Sequence, residues 1–178
     1  RLPLYEHGVG GTVIYDTTGK RPYDYWFSPD MEESRQGFRE FWDFWRQMGY
    51  DTASMEFGVC GALVGGGALG AHKEGSIKNR EDFEKYPWEE IPQRYFDKYA
   101  PYIRNFTETC PEGMRAIGGV GNGLFEAVQD LVGYIDLCYI KGDDEELFED
   151  LFRAMGDVQF KIWDRFMDEF ADKFCLLR

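Results

Sequence analysis

The sequence predicts an α/β fold in which parallel strands alternate with amphipathic helices, the front part of a (β/α)8 TIM-type barrel. Three observations predict it. Short apolar segments at 50–57, 114–120 and 173–178 read as strands, and long helical patterns lie between them. Connections of that length join parallel neighbours rather than hairpins. Buried parallel strands need both faces covered and a neighbour at each edge, yet the third strand begins where the sequence stops. The chain therefore reads as an N-terminal extension over residues 1–27 and the N-terminal half of a barrel over 28–178, its first three strands with their helices. On a complete chain, an open sheet or self-association as a homodimer has to cover the edge.

Composition sets limits on function. Aromatic residues make up 17% of the 178 residues, enough for a packed core and unlike a disordered chain. Lys and Arg number 20 against 33 Asp and Glu, a net charge of −13. That balance argues against nucleic acid or an anionic membrane as partner, because phosphate contacts need clustered cations. Cys60, Cys110, Cys138 and Cys175 are widely spaced, without the pairs of a zinc knuckle or a disulfide framework. Reduced thiols and the absence of a charged, then apolar, leader predict a cytoplasmic protein that does not span a membrane.

In the extension, Leu2 to Tyr5 and Thr12 to Tyr15 have the composition of short strands, paired as a hairpin around Gly8, Gly10 and Gly11. Ser28, Pro29 and Asp30 open the first long helix with a cap, a tolerated proline and early acids. Phe38, Phe41, Trp42, Trp45 and Met48 recur at helical spacing as a core stripe, and Gly49 stops the helix. A short helical turn capped by Asn79 runs through Phe83. The next helix spans about Pro92 to Thr109, where Pro101 should kink or interrupt it. Leu124 to Val132 and Tyr134 to Ile140 read as helices. Asp143 or Asp144 caps a long one reaching about Ala171, with Leu147, Leu151, Met155, Val158, Ile162, Phe166 and Phe170 as its stripe.

Candidate chemistry gathers where strands give way to loops. The apolar run from Met114 ends in glycines before a helix opens at Leu124. Gly121, Asn122 and Gly123 thus read as a strand–turn–helix element whose open N–H groups suit a substrate anion; glycines that merely turn the chain are the competing reading. In the strand from Tyr50 to Phe57, Thr52, Ser54 and Glu56 share one face. A barrel interior would receive Glu56 near the carboxyl end, as acid, base or hydrogen-bond acceptor; an edge or surface glutamate is the competing reading. Residues 58–75 hold seven glycines and do not match a phosphate-binding loop. A lid bearing His72 toward substrate fits this composition, and so does a plain flexible connection.

The segments Leu124-Phe-Glu-Ala-Val, Leu131-Val-Gly-Tyr-Ile-Asp-Leu and Asp143-Asp-Glu-Glu-Leu-Phe-Glu-Asp-Leu precede a long amphipathic helix and an apolar strand. Together with Ile77-Lys-Asn-Arg-Glu-Asp-Phe-Glu-Lys-Tyr-Pro, they resemble the uroporphyrinogen decarboxylase superfamily over roughly residues 28 to 178. The resemblance implies a (β/α)8 barrel with a deep cleft at the carboxyl ends of its strands. It also implies one of two activities: cofactor-free decarboxylation of a porphyrinogen, or corrinoid-linked methyl transfer with zinc activating a thiol.

The decarboxylase signature Arg-Gln-Ala-Gly-Arg has no counterpart upstream of the first barrel strand. Arg35 to Arg39 resembles it superficially but falls within the aromatic-striped helix. The decarboxylase Phe-Ser-Asp would fall on Glu56, Phe57 and Gly58, replacing the aspartate by glycine. The zinc ligands of the methyltransferase branch belong to the second half of that fold, beyond Arg178. The leading expectation is therefore a methyltransferase acting on a one-carbon group with a corrinoid (cobalamin) protein and zinc held outside this chain. Glu56 would be the catalytic anchor, with Gly121, Asn122, Gly123 and His72 at the substrate. The alternatives are a decarboxylase of a porphyrinogen or another carboxylate-rich substrate, which needs no cofactor, and a non-catalytic half-barrel that binds or assembles.

Overall fold

The computed structural model describes residues 3–70 and 73–178. Over these it is a mixed α/β fold with seven α-helices and a three-stranded parallel sheet whose strands lie in chain order. The elements are α1 (Gly11–Thr18), α2 (Met31–Gln47), β1 (Thr52–Gly58), α3 (Arg80–Lys85), α4 (Ile91–Glu108), β2 (Arg115–Gly121), α5 (Leu124–Val132), α6 (Tyr134–Asp143), α7 (Glu145–Phe170) and β3 (Leu176–Leu177). The chain gathers into two compact units. One takes in Arg1–Phe57, Tyr99–Gly119 and Glu169–Arg178, and the other Gly58–Lys98 and Val120–Asp168.

The first unit is organised by α2. Asp30 accepts hydrogen bonds from the Glu32 and Glu33 amides at its start, and Gly49 takes a left-handed φ of 80° just past its end. Its apolar stripe is buried as expected, apart from Met48, which is 46% exposed. Trp42 stacks on Phe106 with centroids 4.9 Å apart and donates Nε1–H to the Phe106 carbonyl at 2.9 Å. A pair of this kind stabilises by about 0.5–1.5 kcal/mol beyond its buried area. The buried Asn105 amide donates to Ser34 Oγ at 3.1 Å, and Ser34 in turn donates to the Trp26 carbonyl at 2.9 Å. In the sheet, Ile117 lies beside Leu176 and Gly118 beside Leu177.

Three expectations need correction here. Thr12 to Tyr15 lies inside helix α1, not a strand. The Thr17 and Thr18 hydroxyls bond back to the Val13 and Ile14 carbonyls at 2.7 Å, and left-handed Gly19 closes the helix, so local bonding outweighs the strand preference of the β-branched residues. Leu4 and Tyr5 are not in a strand, and Leu2 lies outside the described residues. The third strand shrinks to Leu176–Leu177, because Ala171–Lys173 adds a 3-10 turn to the end of α7. Helix α4 runs through Pro101 without interruption.

The second unit buries Ile77, Ile91, Tyr95 and Phe96 together with Ala127, Val128 and Leu131 of α5. Leu147, Leu151, Met155, Val158, Ile162 and Phe166 of α7 form its longest stripe. Asp144 caps α7 by accepting the Leu147 amide at 2.9 Å. Asn79 caps α3 through the Asp82 amide at 3.1 Å. Arg80 anchors the start of α3 to α7, with Nη1 2.5 Å from Asp150 Oδ2.

Candidate functional site

Candidate chemistry lies in both units. In the first, the alternation of β1 puts Thr52, Ser54 and Glu56 on one face. Thr52 and Ser54 are buried, and the Glu56 side chain is 24% exposed. Thr52 Oγ1 donates to the Leu4 carbonyl at 3.1 Å, whereas Ser54 Oγ is buried without a hydrogen-bond partner among the described residues. Arg178 Nε stands 2.7 Å from Glu56 Oε1, an ion pair by distance, but its N–H is not directed at that oxygen, which lacks an aligned hydrogen bond. Arg178 Nη1 donates to the Tyr5 hydroxyl, and His7 Nδ1 lies 4.0 Å from Glu56 Oε1. A carboxylate, an imidazole, a guanidinium and a phenol thus meet at the carboxyl-terminal part of β1. Such a set can bind a polar substrate, and a group bound between Glu56 and His7, 4.0 Å apart, can exchange a proton with either.

The second unit carries the strand–turn–helix element. Asn122 is the only non-glycine residue with positive φ among those described, at 68°. Asparagine tolerates that left-handed conformation, and here it turns the side chain toward the segment after β1. Its Oδ1 accepts the Cys60 amide at 3.2 Å and fills the space a side chain on Gly58 would need. Gln159 Nε2 donates to the Asn122 carbonyl at 3.3 Å. The Gly123 amide, expected to be open to substrate, is already bound to Glu126 Oε2 at 2.7 Å. Glu126 supplies one half of a capping box; the other half needs a side chain that Gly123 lacks.

Cys60 is the thiol nearest this element. Burial, followed by the Asp130 and Glu126 carboxylates, pushes it from 9.0 up to about 12. It stays protonated at neutral pH and is a poor nucleophile and a poor metal ligand.

The glycine-rich stretch after β1 is tied down at its centre. Asp130 of α5, 4% exposed, accepts the Gly67 amide on Oδ2 at 2.8 Å and the Leu69 amide on Oδ1 at 3.1 Å. Its backbone carbonyl takes the Ala68 amide at 3.0 Å. Ser76 and Ile77 donate to the Leu131 carbonyl at 2.7 and 3.2 Å. A freely flexible connection is therefore the wrong picture for 66–69 and 76–77. His72 lies outside the described residues.

Sequence reasoning singled out Glu56 and the Gly121, Asn122 and Gly123 turn, and missed Asp130, Tyr5, Arg178 and the approach of His7. For Asp130 a signal existed. It stands three residues after Ala127 and one before Leu131 on the face of α5 that must be buried, where a carboxylate needs partners. Arg178 and His7 carry no such mark, because their proximity to Glu56 is created by the fold.

Among the described residues no three His, Cys, Asp or Glu side chains come close enough to hold one metal ion, so these residues do not form a zinc site. No helix among them is long and apolar enough to cross a membrane. No protein-family model matches the chain, and neither does any curated protein or solved structure.

Proposed function

We propose that this chain forms the first strands of a (β/α)8-barrel enzyme of the uroporphyrinogen decarboxylase superfamily, acting on a one-carbon group with a corrinoid protein as partner. The observation that carries the choice of branch is the contact between Asn122 and Gly58. A porphyrinogen decarboxylase would need an aspartate at position 58, and Asn122 Oδ1 fills the space of even its first carbon. The residue pair that closes this position thereby disfavours a pyrrole-binding role.

In this reading Glu56 is the polar anchor of the substrate, with His7 beside it to exchange a proton. Arg178 pairs with the carboxylate at 2.7 Å, and Ser54 Oγ offers a further hydrogen bond on the same face. Cys60 is not the methyl acceptor, since its thiol stays protonated at neutral pH. The acceptor thiol belongs to a small-molecule substrate, and zinc is held by residues other than those described.

The intact protein should demethylate methylcobalamin in a thiol-dependent assay. Release of carbon dioxide from a porphyrinogen, without demethylation, would overturn the reading.

A further inference from the structure

Helix α7 has a second apolar stripe besides the one it buries. Phe152, Gly156, Phe160, Trp163 and Met167 follow one another at steps of three and four residues. At 100° per residue they share a sector about 80° wide. Phe160 is 72% exposed and Met167 49%. Phe148 continues the stripe one turn earlier, its ring centroid 4.8 Å from that of Phe152, and Phe125 of α5, 50% exposed, lies 6.2 Å from Phe152 on the other side. All these residues belong to the second unit. Phe148, Phe152 and Trp163 are partly buried, and Phe125, Phe160 and Met167 stand exposed beside them; gathered in one strip, they mark an interaction surface rather than the scattered apolar residues of an ordinary exterior.

Gly156 gives the strip its shape. Nothing lies within 4 Å of the position a side chain would take there. Flanked by Phe152 and Phe160, it forms a notch of about the size a neighbouring helix fills with one protruding side chain.

We infer that this strip pairs α7 with α7 of a second copy of the chain, antiparallel, about a two-fold axis that crosses the strip midway between Gly156 and Phe160. In one register, to within a single residue, Phe160 enters the notch at the partner's Gly156. The same register sets Phe152 against the partner's Trp163 and Phe148 against the partner's Met167. Arg153 then lies opposite the partner's Asp164, and the two-fold axis repeats that charge pair on the other side. Arg153, whose Nη1 also donates to Asp150 of its own helix at 3.2 Å, and Asp164 are both exposed and border the strip on the same flank, the one that antiparallel helices bring together. Apolar fit and opposite charges select the same register, which a chance apolar surface has no reason to satisfy. The interface is isologous, as a closed dimer requires.

The test is the oligomeric state of the full chain, by sedimentation velocity across the micromolar range. A dimer is expected. Phe160→Asp and Gly156→Leu should each weaken it by about tenfold or more. Phe160 is open to solvent, a side chain at Gly156 meets nothing within 4 Å, and leucine favours the helix more than glycine does, so folding should be retained and far-ultraviolet circular dichroism should be unchanged. Arg153→Asp should weaken the dimer, and the added Asp164→Arg should restore it. A monomer at every concentration overturns the self-pairing and leaves the strip to another protein or to a segment outside residues 1–178. A dimer indifferent to Arg153→Asp overturns the register.

Discussion

Asn122 occupies the space in which a side chain on Gly58 would stand, so the two residues are a matched pair across the ends of neighbouring strand–loop junctions. Gly58→Ala should destabilise the fold by about 1–3 kcal/mol, the usual range for forcing a methyl group into filled space. Asn122→Gly relieves the backbone at φ 68° but leaves the Cys60 amide without its acceptor. The double variant should lose less than the sum of the single losses, because the clash needs the asparagine side chain. Urea denaturation of the four proteins measures this, and strict additivity would show that the contact does not decide the residue at 58.

Asp130 is the clasp of the glycine-rich loop, with one carboxylate oxygen for each of two amides. In Asp130→Asn one oxygen becomes an NH2 group, and an amide donor must then face another donor. A loss of about 1–3 kcal/mol follows for a buried group left unsatisfied. The local readout is hydrogen exchange: the Gly67 and Leu69 amides should exchange faster in the variant while the core of α7 stays protected. Unchanged exchange at both amides would show that the loop is held by other means.

The shift at Cys60 has a chemical and a thermodynamic consequence. At mildly alkaline pH, iodoacetamide should modify exposed Cys138 and Cys175 and spare Cys60 in the folded protein. The folded thiol holds its proton up to about 12 against 9.0 ordinarily, so above 9 the unfolded chain binds fewer protons than the native one. Stability from this group is complete below 9 and declines as pH rises toward 12. Cys60→Ala should flatten that alkaline decline in a series of denaturation curves. An identical slope in both proteins would contradict the assignment.

Much of the fold could be read from local pattern, since the stripes of α2 and α7 and the caps at Asp30, Asn79 and Asp144 are decided within a few residues of chain. The same local view failed at α1, where β-branched residues imitate a strand but no partner strand lies among the described residues and Gly19 closes a helix. It also could not separate a lid from a pinned loop between Gly58 and Gly75, because the deciding group, Asp130, lies far along the chain. For the candidate site, the strand alternation singled out Glu56 and the glycine turn singled out Asn122. The partners that give each its environment are distant in sequence: Arg178 and His7 for the first, Cys60 and Gln159 for the second.

Glu56 offers the sharpest separation of function from stability. Its ion pair with Arg178 is partly open to water, the two side chains being 24% and 40% exposed. Pairs of that kind contribute about 0–1 kcal/mol. Glu56→Gln preserves the shape and one carbonyl oxygen and removes only the charge. It should shift stability by less than about 1 kcal/mol. On the proposed function, the intact protein carrying this change should lose methylcobalamin demethylation by a factor of about 100 or more, the contribution expected of a group that moves a proton. His7→Gln should lower the rate as well, since it removes the proton partner at 4.0 Å while leaving the Arg178 contact in place. If Glu56→Gln leaves the rate untouched in a protein that demethylates, the carboxylate is a surface charge held by Arg178 and the site lies elsewhere. If instead the variant fails to fold, the Ser54 and Glu56 face of β1 is part of the core, and its polar groups are structural.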